Sequence, residues 1–145
     1  MSGLYLIARL AGRAVAIDSA QVDSVVDIGT IVPVPRADTQ VRGLAALRSR
    51  VVTVIDPRAV IGVGGIAGAS TGNRAVITRI DGHHYAILVD TLEDVALFEF
   101  RPLASGVVLE GVWSSIGYGT VELAGEPVLA VDLRAFVPGA AQVAA

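Results

Sequence analysis

Short stretches of alternating apolar and polar residues recur along the chain, separated by turns rich in glycine, proline and aspartate. A period of two residues is typical of β-strands that bury one face. The segment Leu4 to Ile17 predicts a β-hairpin with its turn at Ala11-Gly12-Arg13. A second hairpin is predicted over Arg74 to Val89, because the Asp81-Gly82 dipeptide at its centre favours a tight two-residue turn. The alternation therefore predicts a mostly β protein.

The rest of the chain adds further strands and short helical turns. Val51 to Ile55 is an almost continuous β-branched stretch, typical of a strand buried on both faces. Asp18 or Ser19 is expected to cap one helical turn. Asp56-Pro57 is expected to begin another, because proline is favoured at the first helical position. Other strands are predicted at Val22 to Val34, Val95 to Phe100, Val107 to Trp113, Gly119 to Leu123 and Pro127 to Val131.

The two halves of the chain resemble each other. Aligning Gly12 with Gly82 places the first hairpin on the second. Aligning 52–59 with 128–135 shows that in both segments an apolar strand runs into Asp-x-Arg-Ala. We therefore interpret residues 1–145 as a single domain with duplicated halves, about 4–62 and 74–137, joined by a glycine-rich connector at 62–73. Five short strands in each half suit a small barrel, and a groove is expected where two barrels meet.

The composition limits the chemistry. Hydrophobic residues make up 53% of the 145 residues and charged residues 17%, which is enough apolar material for a core. Cysteine and lysine are absent, so disulfides, thiolate zinc sites, Schiff-base chemistry and lysine-containing phosphate loops are excluded. The net charge is -3 and the chain has no basic stripe, which disfavours nucleic acid as a partner.

The motifs predict no catalytic, cofactor or metal site. His83 and His84 are adjacent in a predicted strand and therefore point to opposite faces. The segment Gly62 to Ala67 fits G-x-G-x-x-A, but no helix can follow it, so we interpret it as a loop. With only two histidines, the chain has no recognisable catalytic triad. No transmembrane helix is visible, and the first residues lack the positive charge of a signal peptide.

The segment 42–58 resembles the signature of CheW-like coupling domains, which reads roughly G-x-x-N-L-R-G-x-x-x-P-V-x-D-L-R. The matching residues are Gly43, Leu47, Arg48, Val54, Asp56 and Arg58. Ala46, Ser49, Thr53 and Pro57 replace the asparagine, second glycine, proline and leucine of that signature. The change at Ser49 suggests that the turn does not need a positive φ there, or pays for one.

The resemblance implies two intertwined five-stranded SH3-like β-barrels with short helical turns. It also implies a non-enzymatic adaptor without cofactors, which couples methyl-accepting chemoreceptors to a CheA-type histidine kinase in bacterial chemotaxis. One surface would bind the regulatory domain of the kinase, and the groove between the barrels would bind the cytoplasmic tip of the receptors. Such a protein is expected in the cytoplasm, with recruitment to membrane-associated receptor arrays as an option and no direct membrane insertion.

The candidate partner-binding residues lie in and beside the signature. They are Arg48, Leu47, Gly43, Leu44, Val51 and Val52. For Leu44, Leu47, Val51 and Val52 the alternative is plain core, which is the better interpretation of any single one, and the groove needs only one or two of them exposed. Arg48 is the foremost candidate, because a guanidinium can bridge carboxylates or carbonyls; the alternative is an internal salt bridge that holds the barrels together. Asp56, Arg58, Asp132 and Arg134 are predicted to be structural, with each aspartate capping its turn. Trp113 and Tyr118 belong either to the core or to a contact surface.

Two other functions also fit the sequence. One is a self-associating structural β-domain without a kinase partner. The other is a small-ligand-binding β-barrel, which the absence of cysteine, lysine and paired carboxylates disfavours. The adaptor and the structural domain both predict exposed apolar strands, and they differ in whether a kinase domain and a receptor hairpin are bound.

Overall fold

The computed structural model describes residues 2–10, 12–61, 74–103 and 113–138. They form ten strands, two short α-helices and two 3₁₀ turns, so the mostly β prediction is confirmed. The strands are β1 (Ser2–Leu10), β2 (Arg13–Asp18), β3 (Ser24–Asp27), β4 (Val41–Leu47), β5 (Arg50–Ile55), β6 (Arg74–Ile80), β7 (His83–Leu88), β8 (Thr91–Pro102), β9 (Gly117–Leu123) and β10 (Glu126–Val131). The helices are α1 (Pro57–Ile61) and α2 (Trp113–Ile116), and the 3₁₀ turns span Ser19–Gln21 and Leu133–Phe136.

Five strands close into the first barrel, in the order β1-β2-β10-β9-β8. Neighbouring strands are antiparallel, except that β2 and β10 pair in parallel through Val15–Leu129 and Ala16–Ala130. The barrel therefore takes β1 and β2 from the first half of the chain and β8, β9 and β10 from the second.

The second sheet has the order β3-β6-β7-β5-β4. Its parallel pair is β5 with β7, through Thr53–Tyr85 and Val54–Ala86. Val32 forms an isolated bridge with Leu44, with both backbone hydrogen bonds at 2.8 Å. The chain that leaves β3 at one edge of the sheet thus reaches β4 at the opposite edge.

The internal repeat predicts the pairing of the two sheets residue by residue. The alignment of the two halves equates Val15 with Tyr85 and Leu129 with Thr53. The parallel pair Val15–Leu129 of the first barrel thus becomes Tyr85–Thr53, which is a pair in the second sheet. Strands β1 and β2 are equivalent to β6 and β7, and β9 and β10 to β4 and β5. Since each half contributes strands to both sheets, the simple expectation of one barrel per half is wrong, and the intertwined arrangement is confirmed.

Alternation along the strands sorts the buried side chains into three clusters. The first barrel encloses Tyr5, Ile7, Ala16, Val121, Val128 and Ala130. The second sheet encloses Ile28, Ala45, Val52, Val54, Ala75, Ile77, Ala86 and Leu88. The third cluster, the junction core, joins both sheets and includes Leu10, Ile17, Ile55, Ile80, Ile87 and Phe136. The middle of the junction is therefore packed, and the predicted groove is confined to its margins.

Two strand predictions need correction. β5 is not buried on both faces: Val52 and Val54 point into the second sheet, whereas Val51 is 64% exposed. The stretch 22–34 forms only β3 and the bridge at Val32, since Asp27-Ile28-Gly29 and Pro33 interrupt it.

The predicted strand at 107–113 lies outside the described residues except for Trp113, which begins α2. The connector 62–73 lies outside them as well.

Candidate functional site

The hairpin of β4 and β5 carries the segment that resembles the family signature. The strands pair from Val41–Ile55 to Leu47–Arg50, so Arg48 and Ser49 form a two-residue turn. Arg48 has a φ of 59°, in the left-handed region that favours glycine or asparagine, whereas Ser49 has no positive φ. A glycine is therefore not required at position 49, because the positive φ falls on Arg48 instead.

Arg48 differs from the other arginines of this hairpin region. Arg42 and Arg58 both pair with the carboxylate of Asp56, at 3.3 and 3.1 Å. The guanidinium of Arg50 contacts a histidine ring on β7. Arg48 has no hydrogen bond or ion pair with any described residue, so an internal salt bridge finds no support in this part of the chain. Its guanidinium is exposed at the end of the hairpin and is available to a partner.

The outer face beside this turn is apolar. Val32, Leu44 and Val51 are 60%, 38% and 64% exposed. Val32 bridges to Leu44, and Val51 lies opposite Ala46, which is on the same face of β4 as Leu44. We call Val32, Leu44, Ala46, Arg48 and Val51 the β4–β5 patch. Val32 was not among the predicted partner-binding residues, because it lies outside the segment 42–58 that resembles the family signature.

Three of the predicted partner-binding residues do not contribute an exposed side chain to this patch. Val52 is fully buried inside the second sheet, which agrees with the alternative that it is a core residue. Gly43 is also buried, and a Cβ at this position would lie 2.2 Å from the carbonyl oxygen of Val32. Leu47 is half-buried against the interior of the sheet. Gly43 therefore acts on the patch indirectly, by allowing Val32 to approach β4.

A second apolar surface lies on the first barrel, where β1 pairs with β8. Leu4 lies opposite Leu97, and Leu6 lies opposite Val95. Leu4, Val95 and Leu97 are 43%, 49% and 72% exposed, whereas Leu6 is buried in the junction core. We call Leu4, Val95 and Leu97 the β1–β8 patch, which sequence reasoning missed. The sequence does contain a sign of this patch, because Val95 to Phe98 is apolar on both faces of β8. Only one face of β8 turns toward the barrel interior, so the apolar residues on the other face must lie on the surface.

The Asp-x-Arg pair after β5 forms a compact cap. The Asp56 carboxylate accepts hydrogen bonds from the Arg58 backbone N–H at 3.0 Å and from its guanidinium at 3.1 Å. Burial by itself raises the pKa of Asp56. However, the hydrogen bonds and charge of Arg58, with the charge of Arg42, outweigh burial and hold the pKa below its ordinary value. The pair thus anchors the start of α1.

The equivalent pair after β10 has an additional partner. The Asp132 carboxylate accepts from the Arg134 backbone N–H at 3.0 Å and from the Gln21 side-chain amide at 2.8 Å. Gln21 in turn accepts from the Leu133 N–H at 3.1 Å. Burial raises the pKa of Asp132, but the hydrogen bonds from Gln21 and Arg134 outweigh it, so the pKa is lowered. These contacts join the two 3₁₀ turns at one margin of the junction.

Trp113 and Tyr118 are held by neighbouring side chains. The guanidinium of Arg13 lies 4.4 Å from the centre of the Trp113 ring, a cation–π contact. The Tyr118 ring packs at 5.4 Å against Phe100. Burial, followed by the nearby Tyr5, raises the pKa of Tyr118 to about 12. Trp113 thus packs against the junction core, and Tyr118, 39% exposed, packs against an aromatic residue of the first barrel.

The described residues hold no cluster of three or more His, Asp or Glu side chains that could bind a metal ion. In the same part of the chain, no helix has the length and hydropathy needed to cross a membrane.

Two sheets with filled interiors, a shared core and exposed apolar faces define the protein as a small β-barrel module. A family model for the CheW-like domain matches residues 4–141, so the chain belongs to the CheW-like domain family. Among solved structures, the chain is similar to the scaffolding protein TtCheW from Thermoanaerobacter tengcongensis, with a TM-score of 0.77 and 21% sequence identity. That match covers 92% of this chain and 90% of the other, and it concerns the fold. A comparison with curated proteins found no match.

Proposed function

We propose that this protein is a cytoplasmic chemotaxis scaffold that couples methyl-accepting chemoreceptors to a CheA-type histidine kinase. The observation that carries the proposal is the presence of two separate exposed apolar surfaces on a CheW-like fold. The β4–β5 patch lies on the second sheet and the β1–β8 patch on the first barrel. The two patches are not equivalent in the internal repeat, which suits a protein that holds two different partners at once.

The β4–β5 patch is proposed to bind the regulatory domain of the kinase. Its exposed valines and leucine offer an apolar centre, and Arg48 places at the rim a cation that pairs with no described residue. Apolar centres with an arginine at or near them are common in protein interfaces. Since family resemblance gives the kinase domain the same barrel fold, the contact would join two barrels side by side.

The β1–β8 patch is proposed to bind the receptor tip. Leu4, Val95 and Leu97 form a short apolar strip beside Leu6, which belongs to the junction core. A helical hairpin presents apolar side chains at a spacing of three and four residues and can lay them along such a strip. Binding at this surface would recruit the protein to receptor arrays.

Calorimetric titration with the regulatory domain of a CheA-type kinase from the same genome tests the first contact. We expect saturable one-to-one binding, loss of it in Val51→Glu and weaker binding in Arg48→Glu. Ala124→Glu is the matched control, because Ala124 occupies the equivalent exposed turn of the first barrel. Absence of binding to every kinase domain of that genome, with the protein folded, would exclude the coupling function.

A titration with a soluble receptor hairpin tests the second contact. Leu97→Glu should weaken receptor binding and leave kinase binding unchanged, and Val51→Glu should show the opposite. Each variant thus controls for the other, and circular dichroism establishes that both are folded. If both variants lost both partners, the two patches would not be separate binding sites.

The filled interiors disfavour the small-ligand-binding alternative, because buried side chains occupy the inside of the first barrel and of the second sheet. The self-associating structural domain makes a different prediction for the same patches. Sedimentation would then show a dimer that Val51→Glu or Leu97→Glu dissociates, together with no kinase binding.

A further inference from the structure

The internal repeat creates two equivalent clefts at opposite margins of the junction core. The first is lined by residues that include Leu10, Arg58 and Asp90. The second is lined by residues that include Ile80, Arg134 and Ala20. The alignment of the two halves superimposes these sets, Leu10 on Ile80, Arg58 on Arg134 and Ala20 on Asp90. The clefts therefore differ at the third pair: the first cleft has the carboxylate of Asp90, and the second has the methyl group of Ala20.

In the first cleft the carboxylate of Asp90 is fixed in place. It accepts a hydrogen bond from the Gly12 N–H at 2.9 Å, and the Asp90 N–H donates to the Arg9 carbonyl at 2.8 Å. Arg9 also forms an ion pair with Glu93 at 3.1 Å. The pKa of Arg58 is raised, chiefly by its hydrogen bond to Asp56 and further by the charge of Asp90. The first cleft has a volume of only about 10 Å³.

In the second cleft the corresponding interactions are missing. Ala20 supplies no carboxylate, and Arg79, the equivalent of Arg9, has no hydrogen bond or ion pair among the described residues. Asp23, at the position equivalent to Glu93, lines the cleft but does not reach Arg79. The cleft has a volume of about 300 Å³.

The other charges around the second cleft leave its cations accessible. Arg134 pairs with Asp132 at 3.3 Å, yet its side chain is 65% exposed. Asp81 contributes negative charge near Arg134 without forming an ion pair with it. Thr78 and Gln21 also line the cleft.

We propose that the second cleft binds a carboxylate between Arg79 and Arg134, which both line it, at the margin where Ala20 stands in place of Asp90. Guanidinium groups bind carboxylates through paired charge-assisted hydrogen bonds, which suits two arginines facing one space. The carboxylate comes either from a small free acid or from an acidic side chain of a bound protein. The proposal does not depend on the kinase and receptor contacts, because neither patch includes these residues.

NMR titrations of the full chain with glutarate and with a capped oligoglutamate peptide test the site. Ionic strength is held constant with sodium chloride, and a chloride titration serves as the reference. The expected result is saturable shifts of the amides of Gln21, Thr78, Arg79 and Arg134. Saturation by glutarate alone identifies a small carboxylate as the ligand, and tighter binding of the peptide identifies an acidic protein segment.

Two variants test the site, one by removing a cation and the other by adding a carboxylate. Arg79→Gln removes an exposed cation and should weaken binding by about tenfold or more. Ala20→Asp adds the carboxylate that Asp90 supplies in the first cleft, and it should compete with the ligand to a similar extent. Arg9→Gln is the matched control, because Arg9 is the equivalent of Arg79 in the first half of the chain, and it should leave the affinity unchanged.

The proposal is overturned if glutarate and the peptide give only the small, non-saturating shifts that chloride gives. It is also overturned if Ala20→Asp, folded by its amide spectrum, binds either probe as well as the original protein. Kinase and receptor titrations with Ala20→Asp separate this site from the proposed function, because both should remain unchanged.

Discussion

Arg48 and Ala124 occupy the same position in two equivalent hairpin turns, and both have a positive φ, 59° and 52°. The residue that follows distinguishes the turns, since Gly125 has a φ of 82° and Ser49 has no positive φ. A positive φ at both central residues is typical of a type I′ turn. A positive φ at the first central residue alone is typical of a type II′ turn, and that first position favours glycine. The arginine is therefore held in a conformation that costs about 1–2 kcal/mol. Such strain is often retained where a side chain has a function.

Replacing Arg48 by glycine should stabilise the fold and weaken kinase binding. Arg48→Gly is expected to raise the free energy of unfolding by about 0.5–1 kcal/mol, because relief of the left-handed strain exceeds the extra chain entropy of glycine. The same change should weaken kinase binding, since the guanidinium is lost. Urea denaturation and calorimetry measure the two effects.

Arg50→Gly is the control for this comparison, because Arg50 lies in β5 and has no positive φ. It should lower the free energy of unfolding, as glycine does within a strand. A loss of stability in Arg48→Gly as large as in Arg50→Gly would show that the turn is not strained at Arg48.

Gly43 should prove intolerant of any side chain. Its φ is 148°, and a Cβ would lie 2.2 Å from the Val32 carbonyl oxygen, which belongs to the backbone and cannot rotate away. Gly43→Ala is expected to cost about 2 kcal/mol and to break the bridge between Val32 and Leu44. Thermal unfolding measures the cost, and amide exchange at Leu44 reports the bridge. Gly29→Ala is the control, since a Cβ there meets nothing within 4 Å; equal losses in both would contradict the steric argument.

The cap at Asp56 predicts a specific dependence of stability on pH. The pKa of Asp56 is lowered from its ordinary value of 3.8 in the folded protein, although burial by itself raises it. A carboxyl with a lowered folded pKa adds stability above its unfolded pKa, and this stability is lost as the pH falls through the folded value. Asp56→Asn should therefore cost about 1 kcal/mol at neutral pH, and its difference from the original protein should shrink below about pH 3.8.

Urea denaturation between pH 7 and pH 2.5 measures this difference. Asp132→Asn should behave in the same way with a smaller amplitude, because the Asp132–Arg134 pair is more exposed than Asp56–Arg58. Asp38→Asn, on an exposed loop, is the control. A cost of Asp56→Asn that stayed constant down to the lowest pH would mean that its charge is not the stabilising feature.

Local signals in the sequence predicted the elements more completely than their arrangement. The turns at Gly12 and Gly82 were predictable because their glycines adopt φ values of 80° and 81°, which few other residues allow. The exchange of strands was not predictable from alternation, because alternation shows which face of a strand is buried and not which strand lies beside it. Only the repeat, through Val15–Leu129 and its equivalent pair, contains that information.

The candidate surfaces were predicted only in part, for a related reason. Val51 and Val52 are the same residue type in the same strand, and only the position of the sheet interior separates the exposed one from the buried one. Leu97 lies on a surface, although apolar residues flank it in the sequence as they would flank a core residue. Apolar residues that bind partners and apolar residues that build a core therefore have the same pattern until the strands are paired.

The exchange of strands predicts that neither half of the chain folds alone. In a fragment of residues 1–61, β1 and β2 lack β8 and β10, their partners in the first barrel. In a fragment of residues 74–145, β6 and β7 lack β3 and β5. Because isolated hairpins are marginally stable in water, each fragment should be unfolded by circular dichroism. An equimolar mixture should recover the β spectrum and the fluorescence of half-buried Trp113, with a midpoint that depends on concentration. A cooperative unfolding transition in either fragment by itself would show that the halves are independent and that the junction core is not needed to fold them.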